Sequence, residues 1–387
     1  PFWSVGGGWN IHNEKFMKGS QVSLLKLRAS VGYLGNINFN PYQALTTYSY
    51  NSSYFYGKGT GATPITIGNP DLKWERTLST NIGVDFTAFR GRVDLSADYY
   101  IKNTDNLLLD ITKAPSVGVT TSRENIGEVQ NSGFELRLRT FPIQNKDWQW
   151  SLGLTYAYNK NKIKKISNSL REQNEKNKAD NGVAPLPIYE EGQSLTALKV
   201  VPSAGIDPVT GQEIFIKRDG TYTFVYDSND KVIFGDTNPI GTGSINSYLT
   251  YKRFALSCSF LYSFGGSLYN ETLATKVEGA NPKYNADERV LNDRWKTPGT
   301  IAKYKRIDDT TTPYQTSRFV EKNNFLRMSS LSLSYEVPTT FIQKYGLKRM
   351  FLELLTNDLF YLSTAKRERG LNYPYDRSFE FSVRFSL

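Results

Sequence analysis

The sequence predicts an all-β fold, a transmembrane antiparallel β-barrel, on three observations. Apolar and polar residues alternate strictly in segment after segment, the segments run past ten residues, and the connections are short and long by turns. A period of two puts successive side chains on opposite faces of a strand. Strands of soluble sheets are usually about five or six residues long. Tight turns at one end and extended loops at the other are the asymmetry of a membrane barrel, whose strands keep an apolar side to lipid and a polar side to the lumen.

Taken in order, eleven strands are predicted, over 2–11, 22–34, 74–89, 92–108, 124–141, 147–162, 243–252, 253–265, 318–337, 348–362 and 376–387. The stretches LLKLRASVGY (24–33), STNIGVDFTAF (79–89) and VDLSADYYIK (93–102) alternate throughout. In FELRLRT, Phe134, Leu136 and Leu138 oppose Glu135, Arg137 and Arg139; in WQWSLGLTYAY, Trp148, Trp150, Leu152, Leu154, Tyr156 and Tyr158 share one side. In FALSCSFLYSF, Phe254, Leu256, Cys258, Phe260, Tyr262 and Phe264 oppose Ala255, Ser257, Ser259, Leu261 and Ser263. SLSLSYEV sets Leu331, Leu333, Tyr335 and Val337 against Ser330, Ser332, Ser334 and Glu336. FEFSVRFSL closes the chain with Phe379, Phe381, Val383, Phe385 and Leu387 on one face. No long segment has helical periodicity. Aromatics at strand ends (Trp148 and Trp150, Tyr99 and Tyr100, Tyr262 and Phe264) fit an interfacial girdle.

The short connections are 12–21, 90–91, 142–147, 252–253 and 338–347; the long ones are 35–73, 109–123, 163–242, 266–317 and 363–375. If the last strand runs inward, every long loop falls outside and every short turn in the periplasm. Single-chain bacterial barrels usually have an even number of strands. An odd count that begins on the outside therefore reads as part of a barrel, with the missing strands N-terminal. A soluble sandwich or propeller also alternates. It accounts less well for strands of this length, or for polar faces of small and charged residues.

Composition bounds the function. The chain has 387 residues, net charge +10 and 14% aromatics. One cysteine rules out an intramolecular disulfide, and no apolar run approaches the roughly 20 residues of a membrane helix. No signal peptide is evident, and Pro1 already lies in a strand-like stretch, so a fragment is expected. With His12 the only histidine and Cys258 the only cysteine, a His/Cys metal cluster is excluded. His12 reads as a solvated turn residue and Cys258 as a small lipid-facing hydrophobe; no enzyme activity and no cofactor are expected. DPVTGQE (207–213) and SNDKV (228–232) invite a calcium reading, but their spacing fits no EF-hand loop and turn formation suffices. NKNKIKKISNSLREQNEKNK (159–178) is densely basic without interleaved aromatics, so nucleic acid is not its partner. It reads as a solvated loop, with anionic outer-leaflet lipid or a protein lid as alternatives. The glycines at 6–8 and 57–61 lack the Lys-Ser/Thr and the following helix of a phosphate cradle.

Several stretches resemble the SusC-like TonB-dependent transporters of Bacteroidetes outer membranes. They are LLKLRASVGYLGN (24–36), NPDLKWERTLSTNIGVDF (69–86), LSADYYIKNTDNLLL (95–109) and ENIGEVQNSGFELRLR (124–139), then AGIDPVTGQEIF (204–215), FGDTNP (234–239), NNFLRMSSLSLSYEVP (323–338) and NDLFYLS (357–363). They span nearly the whole chain in the family's order and match its C-terminal half. IGTGSINSYLTY (240–251) departs from the pattern, leaving that strand's register open.

The resemblance implies an integral outer-membrane protein. Residues 1–387 would be the C-terminal part of a 22-stranded barrel, with the N-terminal plug, the TonB box and the first strands outside this chain. It implies a SusD-like surface lipoprotein as lid, TonB as the energy-coupling partner, and pairing into dimers of transporter and lipoprotein. The substrate would be an oligosaccharide or a peptide. A lid-free siderophore or cobalamin receptor, and a passive or structural barrel in a larger assembly, remain alternatives. Lys26, Arg28, Asn81, Asp85, Glu135, Arg137, Arg139, Glu380 and Arg384 fall on the lumen-facing set, to hold the plug or line the solute path. Tyr42, Tyr48, Tyr50, Tyr54, Phe55 and Tyr56 crowd one loop, where aromatic faces and phenolic hydroxyls suit a substrate or the lid.

Overall fold

A computed structural model of the chain describes residues 2–36, 44–57, 59–281, 283–284, 286–366, 368 and 376–386. β1 (Trp3–Asn10) and β2 (Val22–Asn36) begin a large sheet, and β3 (Thr47–Tyr56) and β4 (Gly59–Thr66) form a separate hairpin in the next connection. β5 (Glu75–Ala88), β6 (Val93–Thr112), β7 (Thr121–Gln144) and β8 (Trp148–Ile166) continue the sheet. Helix α1 (Asn168–Ala179) and the short strands β9 (Ala197–Val200), β10 (Ser203–Ile206), β11 (Glu213–Ile216), β12 (Tyr222–Thr223) and β13 (Val232–Asp236) occupy the longest loop. β14 (Gly241–Tyr251), β15 (Phe254–Tyr269), β16 (Val320–Glu336), the single-turn α2 (Thr339–Ile342), β17 (Arg349–Asn357), β18 (Tyr361–Ser363) and β19 (Phe379–Ser386) complete the chain.

The sheet order is β1-β2-β5-β6-β7-β8-β14-β15-β16-β17-β19, with β18 also on β16. Every pairing is antiparallel and follows the chain, so the result is a meander with short turns at one end and long loops at the other. These are the eleven predicted strands, forming part of a barrel. Residues 240–251, where the sequence leaves the register open, pair with both neighbours without a shift.

Register converts the alternation of each strand into two continuous surfaces, because directly opposed residues share a face. One row runs Trp9, Leu27, Val84, Ala97, Leu136, Tyr156. Another runs Leu256, Leu333, Leu354, Phe381. Leu333, Leu354 and Phe381 are 45%, 47% and 65% exposed. A continuous apolar face left uncovered across a whole sheet needs lipid as its partner. On the opposite face Lys26, Asp85, Ser96, Arg137, Thr155 and Ser244 lie in one row.

Aromatic side chains edge the apolar face. At the short-turn end Trp148 packs on Tyr251 (4.1 Å between centroids) and Phe254 on Tyr335 (4.7 Å). At the loop end Trp3 meets Tyr33, and Phe264 stacks with both Tyr156 and Tyr262. Tyr99 lies on the outer face, but its neighbour Tyr100 does not belong to the girdle. Tyr100 points to the polar side, lies over Gly133, where a Cβ would come within 2.4 Å of its hydroxyl, and donates to Asn159 Oδ1 at 3.2 Å.

Three further features depart from expectation. The strand predicted over 348–362 is broken, because Asp358 adopts φ 54° and only β18 resumes pairing with β16. Residues 159–178 are not a solvated loop: β8 runs on to Ile166, and residues from Asn168 onward are helix α1. Ser167 caps α1 by accepting the Leu170 N–H. The helix buries Leu170, Asn174 and Asn177, a mostly polar stripe. Asn174 exchanges hydrogen bonds with the Tyr189 backbone, and Asn177 donates to Pro187 O at 2.7 Å. Hydrophobic periodicity is absent because amides do the packing. Finally, the loop stretch 44–66 folds into the β3–β4 hairpin. Leu387 lies outside the described residues.

Candidate functional site: the polar face and the loop assembly beyond it

On the polar face the sequence of β2, β5 and β6 builds one charged knot. Arg28 donates through Nε to Asp85 Oδ2 at 2.7 Å and through Nη2 to Asp85 Oδ1 and Asp98 Oδ2, both at 3.1 Å. Ser96 Oγ donates to Asp85 Oδ1 at 3.0 Å. Arg28 can lie across three strands because the residue between it and Asp98 in the register is Gly83. A Cβ there would sit 2.4 Å from Asp98 Oδ1 and 2.7 Å from Arg28 Nη2. Glu135 stands directly opposite Asp98, so the guanidinium also offsets a like-charge pair. Arg28→Gln is expected to lower barrel stability by about 1 kcal/mol, the group being partly solvated. Asp98→Asn added to it should restore part of the loss. Loss of the heat-resistant folded band in SDS gels measures both.

The other predicted lumen residues occupy the same face but not the same site. Lys26 is opposite Asp85, Arg137 lies between Ser96 and Thr155, and Asn81 is opposite Tyr100. Arg139 lies over the Phe141 ring at 4.8 Å. Far along the sheet, Arg384 donates to Glu353 Oε2 at 2.6 Å and Ser332 Oγ to Glu353 Oε1 at 2.7 Å, while Glu380 is opposite Leu355. The face thus carries two charge clusters rather than one. Asp98, Ser96 and Glu353 belong to them and are missed by a reading confined to conspicuous charges. Alternation in VDLSADYYIK already puts Ser96 and Asp98 on the inner set.

The principal buried clusters lie in the loops at the open end of the sheet and where the far ends of β6 and β7 meet α1. Ala274, Val277, Tyr304 and Phe319 form one cluster; Ile111, Ile126 and Leu170 form a second. Arg318 ties this region together. Its Nε and Nη2 donate to Glu213 at 2.7 and 2.6 Å; its Nη1 and Nη2 donate to Glu278 at 2.6 and 2.8 Å. Nη1 also reaches Lys303 O at 2.9 Å. Burial opposes the guanidinium charge, but the two carboxylates outweigh it and hold Arg318 above the ordinary arginine range. Arg294, also buried, donates to the carbonyls of Val277, Glu278, Val290 and Lys305. Gln315 Nε2 donates to Gly182 O and Ala184 O, and to Asp180 Oδ2. Arg289, bound to Asp287 and Glu368, holds the Asp287 carboxyl well below the usual range. Tyr226 stacks on Tyr314 (4.3 Å), and burial pushes its phenol up.

In the two turns that invite a calcium reading the carboxylates are taken by protein donors, Glu213 by Arg318 among them. Asp207 accepts from Val209 N, Thr210 N and Thr210 Oγ1, and the Thr210 hydroxyl leads in holding its pKa down. Asp230 accepts from Arg218 N at 3.0 Å. Of the loop aromatics, Tyr48, Tyr50 and Phe55 stand on β3 and are 58%, 79% and 76% exposed. Tyr54 and Tyr56 are on the same strand, with side chains outside the described set, and Tyr42 lies outside the described residues.

This geometry, a lipid-facing sheet with a charged inner face and a packed loop assembly, matches known proteins. The family described as TonB dependent receptor-like, beta-barrel matches residues 2–188. A TonB-dependent receptor of Formosa agariphila is 26% identical over 403 residues, covering 93% of this chain and 38% of the relative. TonB-dependent receptor SusC of Bacteroides thetaiotaomicron is 28% identical, covering 86% of this chain and 34% of the relative. The chain therefore spans little more than a third of the length of these curated relatives. The RagAB peptide importer in its closed-closed state superposes with a TM-score of 0.82 at 24% identity, over 99% of this chain and 43% of that one. Barrel match, relatives and fold together make the chain similar to part of the barrel of TonB-dependent receptors, SusC among them.

Proposed function

We propose that the receptor to which this chain belongs resides in the outer membrane and imports a hydrophilic oligomer, an oligosaccharide or a peptide, driven by TonB. The observation that carries this reading is the pairing of a continuous lipid-facing row with a charged inner row across eleven strands of a SusC-like barrel. Such a barrel encloses a polar passage. The plug, the TonB box and the remaining strands are assigned to the length of the relatives that this chain does not span, N-terminal to it. Lys26, Arg28, Asp85, Glu135, Arg137, Arg139, Glu380 and Arg384 then face the plug or the solute path. A SusD-like lipoprotein covers the extracellular end, in pairs of transporter and lid. The exposed Tyr48, Tyr50 and Phe55 on β3 contact the lid or the solute, with Tyr54 and Tyr56 beside them.

Disrupting the gene should abolish growth on the breakdown products of one polymer. Unchanged growth on every oligosaccharide and peptide tested would refute import. Purification from native membranes in mild detergent should bring down a lipoprotein in equal amount; a receptor that purifies alone is one without a lid. Tyr48→Ala with Tyr50→Ala and Phe55→Ala should weaken lid retention or uptake about tenfold or more, since three exposed aromatic anchors are removed while the sheet is untouched.

A further inference from the structure

Helix α1, β9 and residues 218–231 enclose a cleft of about 320 Å³ beyond the end of β8. Five cationic residues line it: Arg171, Lys178, Lys199, Arg218 and Lys231. The acids among its lining are Glu175 and Glu190. Lys199 is buried and pairs with Glu190 at 2.6 Å, and Arg171 pairs with Glu191 at 3.0 Å. For the other three, no carboxylate among the described residues lies within ion-pair distance.

Lys231 is the most telling of them. It is only 3% exposed, and its Nζ donates to Lys178 O at 3.1 Å and Asp180 O at 3.2 Å. Two carbonyls leave the third ammonium N–H over and supply no negative charge. Arg218 donates through Nη2 to Lys231 O at 3.2 Å, which brings its guanidinium beside this lysine. Lys231 is thus buried beside a solvated cation, and the Asp180 carboxylate offsets its charge only from beyond ion-pair distance. Burial indeed holds Lys231 below the usual lysine range. Tyr189 and Ile188 add an apolar wall. The cleft is therefore a cavity of the size of one sugar ring or one amino-acid residue, lined by five cations against two carboxylates.

We propose that this cleft binds a carboxylate carried by a hydrophilic oligomer, from an acidic sugar unit or an acidic amino-acid residue. The guanidinium of Arg218 offers the fork that fits a carboxylate, and Lys231 and Lys178 supply point charges. The site lies beyond the end of β8, on the loop side of the sheet. It also gives the basic stretch after β8 a role that helix formation alone does not require.

The test is calorimetric titration of the detergent-purified receptor with trigalacturonate, triglutamate and neutral galactotriose, at low salt and at 0.5 M NaCl. One of the two acids should bind, and which one does identifies the source of the carboxylate. Lys178→Gln with Arg218→Gln should weaken it about tenfold or more, as expected for two charge-assisted contacts. High salt should weaken it too. Neither changed side chain is buried, so the fold should persist; protease resistance of the loops checks that. Equal binding of galactotriose, no binding of either acid, an unaffected double variant, or binding of lipopolysaccharide alone would each overturn the assignment. The readout is binding, so it stands or falls apart from import.

Discussion

Alanine in place of Arg318 is expected to unseat the loop assembly while leaving the barrel intact. Arg318 satisfies two buried carboxylates at once, and Glu213 and Glu278 are 7% and 2% exposed. Removing the shared cation strands both, a change that typically costs about 3–5 kcal/mol. The loss falls on the loops because Glu213 belongs to β11, in the connection between β8 and β14, and Glu278 lies in the connection between β15 and β16. Limited proteolysis should cut these two segments in the variant and not in the native receptor, while heat-modifiable migration of the barrel is retained. Adding Glu213→Gln and Glu278→Gln should restore part of the protection. Loops cut no faster than in the native receptor would show that Arg318 is a bystander.

A charge at position 333 is the second large effect. Leu333 sits in a row of leucines, opposite Leu256 on one side and Leu354 on the other, on the face given over to lipid. Arginine on such a face costs about 2–4 kcal/mol at the midplane and less toward the interface, and Leu333 lies two residues inside the Phe254–Tyr335 edge, so a cost of about 1–2 kcal/mol is expected. Its neighbour Ser332 points to the other side and donates to Glu353. Ser332→Arg therefore meets a polar lumen and an acid, and is expected to fold nearly as well as the native protein. Reconstitution into vesicles, scored by the folded fraction in unheated gels, separates the two. Equal yields for L333R and S332R would mean that the two faces are not lipid and lumen.

How much of this was legible depended on what kind of packing each region uses. The sheet is read from the chain because its partner is lipid on one face and a polar lumen on the other, and both impose a period of two. Leu256, Leu333 and Arg137 fall on the faces that alternation assigns to them. The turn at Lys252 and Arg253, where Lys252 takes φ 52°, is found simply as the gap between two alternating runs. The break at Asp358 is not, because one left-handed residue leaves the pattern of NDLFYLS undisturbed. Helix α1 escapes because Asn174 and Asn177 occupy its buried stripe. Arg318, Glu213, Glu278 and Lys231 escape for another reason. They meet across 40 to 105 residues of sequence, and nothing local marks a charge that will be buried. The lumen residues Lys26, Arg28, Asp85 and Glu135 are placed on one face by pattern, but only register shows that Arg28 spans Gly83 to reach Asp98.

The anchors of the loop assembly share a habit with a consequence for divergence. Arg294 binds four main-chain carbonyls, Lys231 two, and Gln315 two, at positions 178, 180, 182, 184, 277, 278, 290 and 305. A carbonyl is present whatever side chain a residue carries. At the positions that are not buried, such as 178 and 184, substitution therefore changes what the outer surface presents without releasing the grip that shapes it. Such a scaffold is free to drift toward new ligands one residue at a time, provided its few long polar anchors stay in place.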